Sequence, residues 1–222
     1  RGYVWQPWFA QVRLGVGALF ANDRGEALFA DGSSRGVSLT GHGSLSLFPA
    51  SRFPFELRAL LSDSRTSGDY IGTDVQTRRI SISQGYQPLR SSDRYQFQAD
   101  YSRFEGRGTA DTLETLFASY NRHAGAHHFE LSGNAARNQN DFESSRNYSL
   151  FARHGFVPGS NLSIDTVASW NVFEYGGASD ELLDARTDFR QISTIGTWRP
   201  APGDPLYVEH MPMSVIGSAR WV

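Results

Sequence analysis

Histidines bring this sequence nearest to a metal-binding or catalytic pattern. His123, His127 and His128 fall within one short segment, and imidazole is a common ligand of zinc, copper and nickel. Adjacent histidines of a strand point to opposite faces, so His127 and His128 cannot hold one ion together. We therefore interpret this segment as a solvated turn without a metal ion. We interpret His42, which lies among serines and glycines, as a residue of a pore wall.

Other familiar catalytic and cofactor motifs are missing. The sequence has no P-loop, no His-Glu-x-x-His and no carboxylates at EF-hand spacing. It has no cysteine, which excludes disulfides, thiolate metal sites and covalent haem attachment in this chain. We therefore expect a protein that is not an enzyme and carries no cofactor of its own. A barrel hydrolase with a Ser–His or Asp–His site at one rim is the enzymatic alternative.

Charge and hydropathy narrow the class of protein further. The 222-residue chain has a formal net charge of −2, so a nucleic-acid partner is not expected. No run approaches the roughly 18 apolar residues of a transmembrane helix. The mean hydropathy of −0.42 would suit a soluble protein. A transmembrane β-barrel also has a low mean value, because its apolar residues occupy only every second position.

The segment from Gly36 to Arg65 is the clearest structural pattern in the chain. Two runs alternate apolar and polar residues, and a short turn with Pro49 and Pro54 joins them. This alternation predicts two β-strands, and their length suits a membrane-spanning hairpin. Similar runs predict ten strands in all, at residues 8–20, 37–47, 55–62, 77–86, 95–101, 116–120, 129–135, 148–152, 162–172 and 192–198.

These strands predict one domain over residues 1–222. We expect an all-β, antiparallel, up-and-down transmembrane β-barrel with about 10–12 strands in this chain. A weaker run over residues 206–222, which Pro212 interrupts, is the eleventh candidate strand. Bacterial single-chain barrels have an even number of strands. The odd count therefore predicts either that the chain is part of a larger barrel or that the last run is not a strand.

Predicted connections between the strands alternate between long and short. The long ones are residues 21–35, 63–74, 105–112, 138–147 and 174–187. Outer-membrane barrels have short periplasmic turns and longer external loops. The alternation therefore predicts the bacterial outer membrane as the location of the protein. It also predicts that the Pro49–Pro54 turn lies in the periplasm.

The two faces of the predicted sheet differ in polarity. A polar face suits a water-filled lumen, whereas a soluble β-sandwich, the non-membrane alternative, needs two apolar faces that meet in a core. The predicted lumen-lining residues are Arg13, His42, Glu56, Arg58, Arg79, Asp100, Glu130, Arg153 and Asp165. The opposite face is apolar, with aromatic residues near strand ends, where rings favour the lipid headgroup level. The predicted lipid-interface aromatics are Trp8, Phe20, Tyr86, Tyr95, Tyr101, Tyr120, Trp170 and Trp198.

A polar-lined pore or scaffold across the outer membrane is the function that these features favour, with the lipid bilayer as its partner. Lumen charges of both signs argue against a strongly selective ion pore. Cross-strand ion pairs that stiffen the wall are a second role open to the same charges. Binding of ligands or other cells by the long external loops is an alternative function.

The hairpin S-L-S-L-F-P-A-S-R-F-P-F-E-L-R-A-L-L-S-D-S-R and the later run Y-Q-F-Q-A-D-Y-S-R-F resemble repeats of large Gram-negative outer-membrane barrels. They are similar in particular to the porin-like partners of multihaem cytochromes. The resemblance is one of pattern over most of the chain, without a signature motif. It implies a wide barrel around a cytochrome that carries electrons across the outer membrane. Every covalently bound haem would then belong to the partner protein.

Overall fold

A single antiparallel sheet makes up the part of the chain that the structure describes. The computed structural model describes residues 2–4, 6–27, 30–68, 73–106, 108–177, 184–203 and 215–221. Each strand pairs with the next one along the chain, so the sheet is an up-and-down meander. Its strands are β1 (Gly2–Val4), β2 (Ala10–Ala27), β3 (Ala30–Leu47), β4 (Phe55–Gly68), β5 (Thr73–Tyr86), β6 (Arg94–Gly106), β7 (Thr109–Ala124), β8 (His127–Asn140), β9 (Glu143–Phe156), β10 (Leu162–Gly177), β11 (Ala185–Trp198) and β12 (Val215–Trp221).

The predicted fold class is confirmed, with twelve antiparallel strands in the described residues. The ten strands predicted from alternation correspond to β2–β11. One start is wrong: β2 begins at Ala10, and Trp8 lies in the preceding turn, where the Gln6 carbonyl accepts hydrogen bonds from the amides of Phe9 and Ala10. Strand β1 was not predicted, because three residues are too few to show a period.

The predicted long connections are mostly strand, and that prediction is wrong. Strands β2 and β3 have 18 residues each and continue through most of the predicted loop 21–35. At this end of the sheet, the upper end, the connections are residues 28–29, 69–72, 107–108, 141–142 and 178–184. At the lower end, between β3 and β10, they are residues 48–54, 87–93, 125–126 and 157–161. Loop length therefore does not support the predicted orientation.

A physical reason explains the overlooked strand. Above a membrane, both faces of a strand meet water, so selection for alternating apolar and polar residues ends there. The backbone ladder does not depend on that alternation, and it continues in register from Asn22↔Arg35 up to Ala27↔Ala30. The predicted last strand, 206–222, is described only as β12, and its residues 206–214 and 222 lie outside the described residues.

The sheet has no hydrophobic core. Among the described residues only Ala10 and Val172 are buried apolar residues, while Val16 is 83% exposed. The accessible surface is 16090 Å² for 24.7 kDa. A soluble monomer of this mass would expose about 10,000 Å². The β-sandwich alternative is therefore wrong, because all twelve described strands belong to one sheet and none of them covers its apolar face. No helix in the described ranges is long and apolar enough to cross a membrane.

Both edges of the sheet are open in the structure. Strand β1 pairs with β2 only at Ala10, Gln11 and Val12, so the rest of that β2 edge has no partner strand among the described residues. At the other edge, β12 pairs with β11 over Ile192–Trp198. Strands β1 and β12 are not paired with each other, and the sheet is an open arc.

Candidate functional site

All nine residues predicted to line a lumen lie on one face of the sheet, named here the polar face. Cross-strand partners of an antiparallel sheet point to the same side. One row of partners runs Arg13, Ser44, Arg58, Ser81 and Asp100 across β2–β6. The register between β3 and β10 places the other six predicted residues on this same face. Because the sheet is an open arc, the lumen itself stays a prediction.

Close ion pairs neutralise much of the polar face. The guanidinium of Arg58 donates two hydrogen bonds to the Glu56 carboxylate, at 2.9 and 2.8 Å. Arg153 donates to Asp165 at 2.9 and 2.7 Å, and Glu130 is the direct cross-strand partner of Arg153. Bidentate geometry fixes both arginines in place. The pair Arg153–Asp165 joins β9 to β10, which gives the wall-stiffening role a structural basis, whereas Arg58–Glu56 lies within β4.

Asp100 is the centre of a third polar group, on β5 and β6. Its carboxylate accepts hydrogen bonds from Gln98 at 2.7 Å and from Arg79 at 3.4 Å. The Ser81 hydroxyl donates to the same carboxylate. The Asp100 side chain is only 14% exposed, so these donors replace most of its water. This group and the two bidentate pairs spread paired charge over β4–β10.

A shallow basin of about 630 Å³ lies on the polar face of β2–β5. Arg13, His42, Arg58 and Arg79 contribute to its lining. In the described part of the chain, Arg13 makes no ion pair, and three arginines face one carboxylate, Glu56, in the lining, so the basin carries an excess of positive charge. The His42 ring crosses Gly15 so closely that a Cβ there would lie 2.2 Å from a ring carbon. Glycine at position 15 therefore sets the position of His42.

The opposite face, the outward face, carries a line of stacked rings at its lower end. Phe53 and Tyr86 stack with centroids 4.8 Å apart, and Tyr86 lies 5.7 Å from Tyr95. Tyr95 in turn lies 4.9 Å from Tyr120, whose hydroxyl donates to Asp93 at 3.2 Å. Rings with an apolar body and a polar tip suit the headgroup level of a bilayer.

Charged residues mark the upper limit of the apolar band on the outward face. On every strand from β2 to β11, the next outward-facing residue above the apolar ones is polar, and on nine of the ten it is charged. We name this set the charged border: Asn22, Arg35, Asp63, Arg78, Arg103, Glu114, Arg137, Arg146, Glu174 and Arg190.

The charged border crosses the sheet obliquely. One continuous row of partners joins Leu14 on β2 to Arg186 on β11. The border lies above this row at Asn22 and below it at Arg190. From β2 to β11 the border therefore descends by about twelve residues over nine strand-to-strand steps. With about 3.3 Å per residue and about 4.8 Å per step, a border that is level with the membrane surface corresponds to strands tilted by about 40°. Transmembrane barrels tilt their strands by about 35–45°.

The remaining predicted interface aromatics fall at several heights. Trp170 lies at the border, where its indole N–H donates to Asp188 at 2.9 Å and the Arg190 guanidinium lies 6.0 Å from its ring centroid. Phe20 and Tyr101 are the last ring-bearing residues below the border on β2 and β6, and Trp198 ends β11 at the lower end. Trp8, in the turn before β2, is 57% exposed. Their contact with lipid stays a prediction.

The histidines pair across strands and do not form one cluster. His127 and His154 share a hydrogen bond of 3.0 Å between ring nitrogens on the outward face. His123 and His128 lie on the polar face with ring centroids 4.1 Å apart. The expectation that His127 and His128 point to opposite faces is therefore confirmed. Within the described ranges, no three His, Asp or Glu side chains converge as metal ligands would.

Sequence reasoning missed several features at the upper end. Arg146, Glu174 and Arg186 fell in predicted loops, although a 2.0-residue period continued through the strands would have placed all three on the outward face. Above the border, Tyr175 donates to Glu143 at 2.6 Å, and this hydrogen bond raises the pKa of the Tyr175 phenol.

Sequence reasoning also overlooked one short motif. Residues 32–36 read Gly-Ser-Ser-Arg-Gly, which matches the Gly-x-Ser-x-Gly of serine hydrolases. That motif acts on a sharp turn between a strand and a helix. Here the segment lies within β3 and its backbone pairs with β2. The nucleophile geometry is therefore not formed.

No protein-family model and no curated protein sequence matches the chain. Solved structures do match. The ferric-catecholate import receptor Fiu from K12 E. coli has a TM-score of 0.60 at 8% identity, over 86% of this chain and 44% of that chain. The siderophore receptor PirA from Pseudomonas aeruginosa has a TM-score of 0.54 at 18% identity, over 95% and 38%. The copper transporter OprC has a TM-score of 0.58 at 10% identity, over 87% and 39%.

These likenesses concern the fold alone. The chain spans less than half the length of each of these three structures. The TM-scores of 0.54–0.60 relate the antiparallel meander of this chain to the fold of those neighbours. The chain therefore has the fold of Gram-negative outer-membrane β-barrels, and this likeness of fold points to the outer membrane.

Proposed function

We propose that this chain forms part of the wall of a wide outer-membrane β-barrel with a polar lumen, which serves as a pore or scaffold. The observation that carries the proposal is the pair of unlike faces: an apolar band with a charged upper border on one side, and paired charges on the other. Lipid would cover the outward face, and water would fill the lumen beside the polar face.

Open edges support the wide barrel. In lipid, each unpaired backbone amide or carbonyl raises the free energy by several kcal/mol, so a sheet that spans the membrane must close on itself. The β2 edge above Val12 offers many such groups. The chain matches 38–44% of the length of Fiu, PirA and OprC, which is consistent with an arc of a larger barrel. Further strands would then complete the wall on both sides.

Insertion is the first part of the proposal to test. The full-length protein should require detergent and should migrate faster on SDS gels before boiling than after, as a folded barrel does. Site-directed spin labels at Ser132 and Leu131, which are neighbours on opposite faces of β8, should report water and lipid respectively. A monodisperse protein in buffer without detergent would refute the membrane assignment.

A conductance measurement distinguishes an open pore from a closed scaffold. Because the wall carries paired charges of both signs, a pore should be weakly selective. Planar-bilayer recordings of the folded protein should show steady conductance, with a reversal potential close to zero in a salt gradient. Boiled protein is the control. Folded, inserted protein that does not conduct would argue against the open pore and favour a filled barrel.

Enclosure of a partner protein is the second candidate function. The basin with Arg13 and His42 supports it, because a positive depression on the wall could receive an acidic surface of a lumen-bound protein. A multihaem cytochrome is the partner that the sequence resemblance implies. Co-purification from a native outer membrane, followed by absorbance at the haem Soret band, tests it. The loop-binding alternative loses support, since the upper connections are short. We propose no enzymatic role.

A further inference from the structure

Two pairs of arginines oppose each other on the outward face. Arg78 on β5 is the direct cross-strand partner of Arg103 on β6. Arg137 on β8 is the direct partner of Arg146 on β9. All four belong to the charged border, just above the apolar band. Like charges placed directly opposite each other destabilise a sheet unless an anion lies between them.

The protein supplies only part of the compensating charge. In each pair, one arginine has a carboxylate: Arg103 pairs with Glu105, and Arg146 lies 3.9 Å from Glu174, which Arg186 shares at 3.4 Å. The other arginine of each pair donates only to a neutral side chain among the described residues: Arg78 to Gln76 at 3.3 Å, and Arg137 to Gln139 at 2.8 Å. Glu114 is the cross-strand partner of Arg137 on β7, but the two side chains form no ion pair in the described part of the chain. At both places a guanidinium is therefore left without a bound carboxylate.

The chemistry of these sites favours phosphate. All 21 basic residues counted as lysine or arginine are arginine, so each cationic site presents a planar fork. That fork binds two oxygens of a phosphate at once, which an ammonium group cannot do. Arg103 and Arg146 are 43% and 48% exposed, so their free N–H groups can be reached from outside the sheet. The two pairs lie three strands apart, about 14 Å.

We propose that the pairs Arg78–Arg103 and Arg137–Arg146 bind the phosphates of lipid A in the outer leaflet of the membrane. This inference rests on the proposed outer-membrane function. The acyl chains would lie against the apolar band directly below, with the phosphates at the charged border. The proposal also orients the sheet, with its upper end at the cell surface and the Pro49–Pro54 turn in the periplasm.

Affinity for lipid A tests the proposal on the full-length protein in a neutral detergent. The probes are lipid A with both phosphates, dephosphorylated lipid A, and inorganic phosphate. Titration followed by native mass spectrometry or thermophoresis should show binding of the first probe at least tenfold tighter than of the second. Equal binding of the two lipids would overturn the proposal. Binding of inorganic phosphate as tight as that of lipid A would assign the sites to a free anion instead.

Substitutions of the four arginines test whether lipid A binds at these two pairs. The changes R78Q/R103Q and R137Q/R146Q should each weaken lipid A binding about tenfold. R122Q is the matched control, because Arg122 also lies on the outward face but at the lower end, and it should bind as the wild type does. Lysine at all four positions should recover only part of the affinity. An equal loss in R122Q would mean that overall charge is responsible, and it would refute the two sites.

Failure of this inference can be told apart from failure of the proposed function. If the protein needs no detergent, the membrane assignment itself is wrong. If the protein folds in detergent, changes its gel mobility on boiling and binds both lipids equally, only the lipid A inference is wrong. If a glutamine variant does not fold, the test still stands, because the wild-type protein alone shows whether lipid A binds more tightly than dephosphorylated lipid A.

Discussion

The polar face and the outward face of this sheet carry charges in different ways. On the polar face, charges occur along the strands and are held in close bidentate pairs, as in Arg153–Asp165 at 2.7 Å. On the outward face, Arg190 also has a bidentate partner in Asp188, but Arg78 opposes Arg103 and Arg137 opposes Arg146. Charges in water can occur at any height of the wall if they are neutralised locally. Charges of the outward face occur toward the strand ends, and those of the two arginine pairs remain available to an outside partner.

The largest expected effect comes from a charge placed in the middle of the apolar band. Leu131 and Ser132 are neighbours on β8 that face opposite sides, and Leu131 is 44% exposed. Leu131→Arg should destabilise the folded barrel by about 2–4 kcal/mol, because the guanidinium would enter lipid. Ser132→Arg, on the polar face, should change the unfolding free energy by less than about 1 kcal/mol.

Urea unfolding of both variants in lipid vesicles measures this difference. If the two substitutions destabilised the protein equally, the two faces would have the same surroundings. The comparison between a lipid face and a water face would then be lost.

A smaller effect should follow from an added methyl group at Gly15. A Cβ there would lie 2.2 Å from the His42 ring, so the ring must turn away, at a cost of about 1–2 kcal/mol. Gly41→Ala is the matched control, because no atom lies within 4 Å of the site. The double change Gly15→Ala with His42→Ser should recover most of the lost stability. No recovery in that variant would show that His42 is not the group in the way.

Neutralising one member of a polar-face pair should alter selectivity more than stability. Asp165→Asn leaves Arg153 without its carboxylate, although Glu130 remains opposite. The pair is well exposed, so the unfolding free energy should fall by only about 0.2–1 kcal/mol. The reversal potential of a pore should move toward anions. An unchanged reversal potential, in a protein that conducts, would place this pair away from the ion path.

The smallest effect concerns the ring line at the lower end. Tyr120→Phe keeps the ring beside Tyr95 and removes only the hydroxyl that donates to Asp93. We expect a loss of about 0.5 kcal/mol, whereas Tyr120→Ala should lose several times more because the ring contact disappears. Equal losses in the two variants, measured by urea unfolding, would contradict a girdle built from stacked rings.

Period-two alternation was enough to predict the faces. Arg58 and Leu57, for example, fall on the sides that their sequence pattern indicates, because one face of each strand meets a different solvent from the other. Strand ends were not predictable in the same way. Arg146 lies where both faces meet water, so no alternation marked it as strand. The arginine pairs depend on the register between strands, which could not be predicted from this single sequence.

Closure could not be predicted either. The number of strands in a barrel depends on pairing beyond the outer strands β1 and β12, and their edges have no partner strand among the described residues. The basin around His42 was also hidden, since it depends on the contact of that ring with Gly15 across the strand pair. Sequence alone showed both residues but not their proximity.

The meander order of the strands has a consequence for how the protein assembles. Every strand from β1 to β12 pairs only with its neighbours in sequence, so no pairing in the described sheet waits for a distant part of the chain. Short loops close quickly and at low entropic cost. Assembly can therefore advance hairpin by hairpin, each new strand pairing with the edge that the previous one exposed. During assembly, both the growing edge and the open β2 edge would need protection from aggregation.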